Sequence, residues 1–484
     1  MMAMKIGIIA EGSYPYVRGG VSNWIQMIVE SMPQYQFEVI AISAVPRTAE
    51  DMRFVLPANV SGITDIILET DKHKAPTGKT KLTPQEESAV RSWMLLENEN
   101  SEALALLGNR EKIGGLKGFF ESREFWRMVQ EGYKRENPNA SFLEYFWMWQ
   151  SMYTPLVALL QNQMPQVDCI HSVSTGYAGV LAAYIKQVQH IPYLLTEHGI
   201  YSREREEEIL QADWVPVQYK PRWIRFFHQL SRQAYEEADD VITLFQRNSH
   251  YQMEAGAAKE KLSVIPNGIQ YERFSQLKQN PREELLSIGI IARIVPIKDI
   301  KTLIYAARII MDHGVPFELT IMGPTEEDET YYKECLYLVQ TLGLKAHVFL
   351  TGSVKISDYL PRFDLLVLSS ISEGQPLSVL EGMAAGIPHV VTDVGSCSEL
   401  INGVNDDPFG PAGFVVPPVN PTLLAENCMW FYYNREAGRT YGENGRKRVQ
   451  KYYLIENMIE QYANLYKQRG EQYGRNRASA SIII

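Results

Sequence analysis

The chain has 484 residues, 45% of them apolar, enough for two or three domains with sizeable cores. Its 47 Lys and Arg stand against 57 Asp and Glu, a net charge of -10, which excludes a broad electrostatic footprint for nucleic acid or an anionic membrane. Any phosphate site must therefore be local. Cys169, Cys335, Cys397 and Cys428 show no C-x-x-C spacing, so neither a disulfide framework nor a zinc site is expected, and a reducing cytoplasm fits.

The apolar run Ile6 to Ala10 is too short for a signal-peptide core. No run of about 18 apolar residues is present to span a membrane. Lys5 to Ala10 reads as a strand, followed by a Gly-rich loop and an amphipathic helix with Val21, Trp24, Ile25, Ile28, Val29 and Met32 on one face. With a second strand at Phe37 to Ser43, this is a βαβ opening of the doubly wound kind. From about 50 to 165 the charged stretches and helix-length apolar spacing predict a mainly helical insertion, aromatic-rich around Phe142 to Trp149.

Strand and helix alternation resumes with Asp168 to Ser172, a helix near Ala178 to Gln189, Tyr193 to Glu197 and Val241 to Leu244. The turn Pro266-Asn267-Gly268 opens a polar stretch to Pro281, the expected linker. Beyond it, strands near Leu285 to Ile290, Phe317 to Met322, His347 to Leu350, Leu365 to Leu368 and His389 to Thr392 alternate with helices, predicting a second doubly wound domain. The expected domains are 1–270, 271–454 and a C-terminal segment 455–484, whose tail from Gly470 to Ser481-Ile482-Ile483-Ile484 reads as poorly ordered. Two such sheets leave a cleft at the carboxyl ends of their strands, where ligands of open α/β sheets bind.

Glu373 lies in the loop leaving the strand Leu365 to Leu368, and Glu381 on the helix that follows. Unpaired N-H groups at such a helix start attract phosphate, and the two carboxylates can accept hydroxyls of a sugar and a ribose on either side of it. Alone, two acids at this spacing are usually a solvated helix face; their place after a buried strand and before Gly-Met-Ala-Ala-Gly favours a site. Arg293 and Lys298, between a strand and a helix, can neutralise a departing diphosphate in place of a metal. Gly19-Gly20 allows close backbone approach at a helix start. His198 ends the strand Leu194 to Glu197 and is a candidate contact to the donor sugar. Asn267-Gly268 reads as a turn, and Arg203 to Glu208 as a solvated helix face with an acceptor role as the sharper alternative. No P-loop, zincin, nucleophile-elbow or D-x-D pattern occurs.

Glu373-x7-Glu381, Arg293 with Lys298, Gly19-Gly20 and Pro266-Asn267-Gly268 occur in the order found in glycosyltransferase family 4, and the chain resembles that family outside the insertion. The resemblance implies the GT-B fold, two Rossmann-like doubly wound domains facing a cleft, with a C-terminal helix about Ile455 to Gln468 crossing back to the first domain. It implies Arg293 and Lys298 at the diphosphate, Glu381 at the ribose, Glu373 at the transferred sugar and Gly352 to Lys355, with Val354, at the base. Gln375, Leu377 and Ser378 are implied as further nucleotide-sugar contacts.

Tyr14 to Ser22, His171 to Tyr177 and Thr196 to Arg205 are similar to the PelF branch, the cytosolic glycosyltransferases of Pel exopolysaccharide synthesis. That similarity implies a UDP-sugar donor (UDP-N-acetylgalactosamine or UDP-glucose), a polysaccharide acceptor and association with an inner-membrane Pel complex. The family also implies a retaining, metal-independent transfer with no cofactor, in which Glu373 orients the sugar while the leaving phosphate takes the acceptor proton. The competing expectations are an α-glucan or sucrose-phosphate-type synthase, a sugar-nucleotide epimerase and an idle UDP-binding scaffold.

Overall fold

The computed structural model describes residues 3–68, 78–98, 101–280, 282–404 and 406–482. It divides into two compact units, the first made of Met1–Thr243, Ser249–Ser263 and Tyr462–Ile484, the second of Leu244–Asn248 and Val264–Gln461.

The first unit opens with β1 (Lys5–Glu11), α1 (Gly20–Ser31), β2 (Gln36–Ser43) and β3 (Val60–Ile67). The insertion follows as α2 (Pro84–Met94), α3 (Ser101–Gly108), α4 (Arg110–Ile113), α5 (Gly115–Phe120), α6 (Arg123–Glu136) and α7 (Phe142–Leu160). Then come β4 (Cys169–Ser172), α8 (Gly176–Gln189), β5 (Tyr193–Glu197), α9 (Tyr201–Gln211), α10 (Lys220–Glu237), β6 (Asp240–Thr243), α11 (Gln246–Glu254) and β7 (Leu262–Val264). These strands form one sheet in the order β3-β2-β1-β4-β5-β6-β7. β1 runs parallel to both β2 and β4, with Ile8 opposite Val39 on one side and His171 on the other.

The strands form where β-branched runs can be buried on both faces: Ile6, Ile8 and Ile9 have no exposure. In the insertion, α2 starts at a capping box in which Thr83 accepts the Glu86 N-H and Glu86 accepts the Thr83 N-H at 2.8 Å. Its helices do not make a domain of their own. Trp93, Phe125 and Trp149 are fully buried in the same core as Ile9, Ile40 and Ile170 of the sheet. Arg222 of α10 lies 4.2 Å over the Trp149 ring and pairs with Glu136 at 2.6 Å, bracing the insertion against α10.

The second unit holds α12 (Tyr271–Ser275), β8 (Leu286–Ile291), α13 (Ile300–Asp312), β9 (Phe317–Met322), α14 (Glu329–Thr341), β10 (Val348–Gly352) and β11 (Leu365–Leu368). It continues with α15 (Leu377–Ala384), β12 (His389–Thr392), α16 (Cys397–Asn402), β13 (Gly413–Val416), α17 (Pro421–Tyr433) and α18 (Arg435–Tyr452). Its sheet is parallel throughout, in the order β10-β9-β8-β11-β12-β13. The last helix, α19 (Ile455–Ile482), begins in the second unit, and its residues from Tyr462 onward belong to the first.

Four expectations change. The insertion begins with a strand: β3 pairs in parallel with β2, and its edge position leaves it mostly half-buried, so its sequence lacks the apolar run of a central strand. The expected linker is packed, with Ile269 and Phe274 nearly fully buried in the second core; Pro281 lies outside the described residues. β13 was not foreseen, being a short segment after a Pro-containing loop. The tail from Gly470 is helical to Ile482; at its start Arg469 forks onto Asp240 at 2.6 and 2.7 Å, and a Cβ on Gly470 would come within 2.7 Å of Met4 Sδ. Ile483 and Ile484 lie outside the described residues. Among the described residues no helix is long and apolar enough to cross a membrane.

Arg448 of α18 is the most buried cation of the second unit, at 1% exposure against 4% for its partner Asp407, and it also donates to the carbonyls of Leu400, Ile401 and Gly410. Arg448→Met takes the guanidinium from a buried carboxylate that keeps only the Phe409 N-H, and removes a donor from three carbonyls, of which that of Ile401 keeps the Ala412 N-H. A loss of about 3 kcal/mol is expected in urea unfolding, and an unchanged midpoint would show that the pair does not hold this unit.

Candidate active site

In the second unit the chain leaves β8 and makes one tight turn at Pro296–Lys298, and Asp299, at a φ of 46°, caps α13 by accepting the Thr302 N-H. Ser369 donates to the Lys298 carbonyl at 2.9 Å, which fixes that turn against the end of β11. Lys298 Nζ then lies 2.5 Å from Glu373 Oε1, and the Ser370 hydroxyl donates to the same oxygen at 2.5 Å. The two charged side chains are only 17% and 10% exposed. A pair so desolvated gains little net stability, but it leaves an ammonium and a carboxylate fixed at the carboxyl edge of a parallel sheet.

The loop carrying Glu373 is held from below. Thr392 donates to the Ser370 carbonyl at 2.7 Å, and Ser396 N-H to the Gly374 carbonyl at 3.0 Å. Gly395, at a φ of 53°, lies so close that a Cβ would come within 2.2 Å of Gly374 O and 2.3 Å of Glu373 O. Helix α15 starts directly after, with no acidic residue in its first turn and no side-chain cap at Pro376, so the N-H groups near Leu377 and Ser378 are left for other acceptors.

Glu381, one turn on, is half-buried. Burial pushes its carboxyl up to about 7, against the opposing influence of Arg273. Gly382 lets α15 sit close on β11, since a Cβ there would lie 2.3 Å from the Leu366 side chain.

The remaining expected residues divide. Arg293 is not gathered with Lys298: it is 53% exposed and pairs with Glu327 at 2.6 Å. Gln375 is 8% exposed and accepts the Asn267 N-H at 2.7 Å, with its amide nitrogen buried and unpartnered. Asn267-Gly268 is therefore more than a turn. A Cβ on Gly268 would meet Leu454 O and Ile455 Cα at 2.4 Å, so the glycine admits the start of α19. Gly352 ends β10 at a φ of 70° with open space where a Cβ would stand, and Val354 is packed against the second unit's core.

In the first unit, Gly19 caps α1 in extended backbone, and neither it nor Gly20 has any atom within 4 Å of a Cβ position. Neither steric crowding nor backbone conformation in the protein demands glycine there. His198 is half-buried with Nε2 sealed and unpartnered, and burial lowers it to about 4, so the ring is neutral near pH 7.

One ring contact and two buried hydrogen-bond networks, whose contacts the sequence did not disclose, surround His198. Trp24 meets it edge-on at 5.0 Å. The neighbouring Glu197, 1% exposed, accepts from Tyr235 at 2.5 Å, Gln252 at 3.0 Å, the Tyr201 N-H at 3.1 Å and Thr175 at 3.2 Å. His171 bonds Tyr466 at 2.7 Å and Thr196 at 2.8 Å, tying the strand ends to α19. The periodicity of α1 and α19 marks Trp24 and Tyr466 as core but gives no sign of what they touch. Among the described residues, no group of three or more His, Cys, Asp or Glu is placed to hold a metal ion.

The chain is 24% identical over 285 residues to MMP alpha-(1->4)-mannosyltransferase of Mycolicibacterium hassiacum, which covers 57% of this chain and 65% of that protein. Across three curated relatives it spans 55% to 65% of their lengths. Two solved structures share its fold. HepE of Anabaena, in complex with UDP and glucose, superposes with a TM-score of 0.58 at 16% identity over 96% of this chain and 99% of that one. Sucrose-phosphate synthase of Thermosynechococcus elongatus does so with a TM-score of 0.61 at 17% identity over 96% and 98%. At these identities the likeness is one of fold, two Rossmann-like parallel-sheet domains of the GT-B class. Residues 272–448 match the family described as Glycosyl transferases group 1. Residues 4–260, more than half of the chain, match Domain of unknown function (DUF3492), and the protein belongs to that family, its DUF3492 region followed by a group 1 glycosyltransferase domain.

Proposed function

We propose that the protein is a glycosyltransferase of polysaccharide synthesis that moves a hexosyl or N-acetylhexosaminyl unit from a UDP-sugar, with retention at the anomeric carbon and without a metal. The observation that carries this reading is the Lys298–Glu373 pair with Ser370, fixed at the end of β11 beside the uncapped start of α15. The uridine diphosphate assignment draws support from HepE, whose structure holds UDP and glucose. The three segments similar to the PelF branch support UDP-N-acetylgalactosamine or UDP-glucose as donor, a Pel-type polysaccharide as acceptor and recruitment to an inner-membrane Pel complex.

In this reaction the bond between the anomeric carbon and the diphosphate oxygen breaks, an acceptor oxygen bonds to that carbon, and the acceptor proton passes to the leaving phosphate. Lys298 and the α15 N-terminus stabilise the charge gathering on the diphosphate, with Arg293 contributing once it exchanges Glu327 for phosphate. Glu373 orients the sugar and offsets positive charge at the reacting carbon. Glu381 accepts ribose hydroxyls; Gly352, Val354, Gln375, Leu377 and Ser378 line the nucleotide. Gly19 and Gly20 leave the start of α1 open to phosphate, and neutral His198 can bond a sugar hydroxyl.

Incubation with radiolabelled UDP-sugars, one at a time, should give transfer or slow hydrolysis with one donor. Tight UDP binding without any turnover would instead identify a scaffold, and a changed nucleotide sugar an epimerase. Activity should persist in EDTA; a loss restored by magnesium would remove the metal-free mechanism.

Lys298→Ala should weaken UDP binding by about 2 kcal/mol. Arg293→Ala should cost less, because the arginine is solvent-screened. Glu373→Gln should lower turnover by about a hundredfold with UDP affinity nearly unchanged, and calorimetry beside initial rates separates the two effects.

Glu381 is raised in the folded chain and binds ribose best when ionised. UDP affinity should therefore fall several-fold from about pH 8 to about pH 6, and Glu381→Gln should flatten that profile. The same shift has a stability sign: the cost of ionising this carboxyl in the fold is absent below its ordinary 4.5 and complete above about 7, so its effect disfavours the folded state as pH rises.

A further inference from the structure

Helix α12 lies in the segment that the sequence presents as a linker, and the transfer reaction as read above uses none of it. Its Phe274 is 3% exposed and shares one core with Val379, Leu380 and Met383 of α15, so the short helix is seated on the helix that carries Glu381. The chain leaving α12 is fastened there too: the Gln279 side-chain amide donates to the Ala385 carbonyl, at the end of α15, at 2.9 Å. Arg273 precedes Phe274 on α12, and its guanidinium carbon lies 5.3 Å from the centre of that ring. The ring thereby holds the cation close to α15.

Arg273 is exposed, and among the described residues no carboxylate or carbonyl bonds it, so its charge is not spent on an ion pair. It lies close enough to Glu381 for that charge to act on the carboxyl. The other charges around α15 are occupied elsewhere. On α18, Arg446 and Lys447 pair with Glu443 at 2.5 and 3.8 Å, and Arg439 acts on Asp364, which Arg435 holds at 2.8 Å. On β12, His389 is neutral, since burial lowers it to about 3, and β11 carries no charged side chain. On α12 itself, Glu272 accepts from Gln276 at 3.4 Å, and Tyr271 is a phenol that burial keeps protonated.

An ionised carboxylate can accept both vicinal hydroxyls of a ribose, and protonation turns one of its oxygens into a donor, so nucleotide binding draws on the charged form. Burial opposes that form and a fixed cation favours it. We propose that Arg273 is a positioning residue of the nucleotide site that acts through Glu381, keeping its carboxylate ready for the ribose without touching the nucleotide. The assignment rests on the reading of Glu381 as the ribose acceptor. Because the guanidinium is exposed, water and salt screen it, and its effect on affinity is a few-fold one.

The test is calorimetric titration of the full chain with UDP from about pH 6 to about pH 8, in the parent, Arg273→Met, Arg273→Lys, Glu381→Gln and the double variant Arg273→Met with Glu381→Gln. Methionine keeps an apolar stem over Phe274 and removes the charge. Arg273→Met should bind UDP about threefold more weakly near pH 7, and its loss of affinity on acidification should begin about half a unit higher than in the parent. Arg273→Lys should restore both, and in the Glu381→Gln background Arg273→Met should add nothing. The terminal phosphate of UDP titrates alike in every form, so the profiles are compared with one another. Parental behaviour of Arg273→Met, a loss equal at every pH, or a loss that persists beside Glu381→Gln each overturns the proposal; the second marks packing and the third a direct contact with the nucleotide. If Glu381→Gln alone leaves UDP affinity and its profile unchanged, the ribose reading falls and takes the proposal with it, whereas a weakened Glu381→Gln beside a parental Arg273→Met sinks the role of Arg273 alone.

Discussion

The constraint on which the rest depends is the parallel direction of the strands. A parallel sheet sends every strand end to one edge, where the next helix begins with unpaired N-H groups. Positive potential and short loops therefore accumulate there, and so do the candidate site residues: Lys298, Glu373 and the start of α15 in the second unit, and His198 in the first. In the second unit, Glu373 draws Lys298 into a pair shielded from water, and the geometry is fixed before any ligand arrives.

That geometry is maintained by close backbone approach as well as by the serine and threonine hydroxyls. Gly395 lets one loop carry the Glu373 carbonyl, Gly382 lets α15 rest on β11, and Gly268 lets the chain pass the start of α19. In each case a methyl group would push apart two elements that meet at the site. The first unit works with buried polar groups instead: a four-donor acid next to His198, and a neutral His171 between Thr196 and Tyr466. Burial keeps both imidazoles uncharged, so they serve as hydrogen-bonding groups and not as cations.

The second unit was legible because its central strands are buried apolar runs separated by amphipathic helices; Phe317 to Met322, Leu365 to Leu368 and His389 to Thr392 stand as read. β3 escaped because an edge strand tolerates Ser61, Gly62 and Asp65, and β13 because four residues carry no period. The linker misread has the same root: polar composition around Ile269 and Phe274 hides two anchors that only tertiary packing reveals. The Lys298–Glu373 pair was foreshadowed as two separate charges after strands, but not as a contact. The contacts of Glu11 were not legible at all, since its partners at Ala178, Tyr201 and Arg205 lie far along the chain.

The split membership of α19 bears on how the chain matures. Tyr462 and Tyr466 fill the first unit's core around Trp24 and His171, yet they are translated after the whole of the second unit. Emerging from the ribosome in order, the second unit can close while the first still lacks two of its tyrosines, reversing the usual precedence of the N-terminal domain. The imidazole of His171 and the indole of Trp24 must wait, incompletely covered, until Tyr462 and Tyr466 have been made. The arrival of α19 then sets the moment at which the His198 edge acquires its final form.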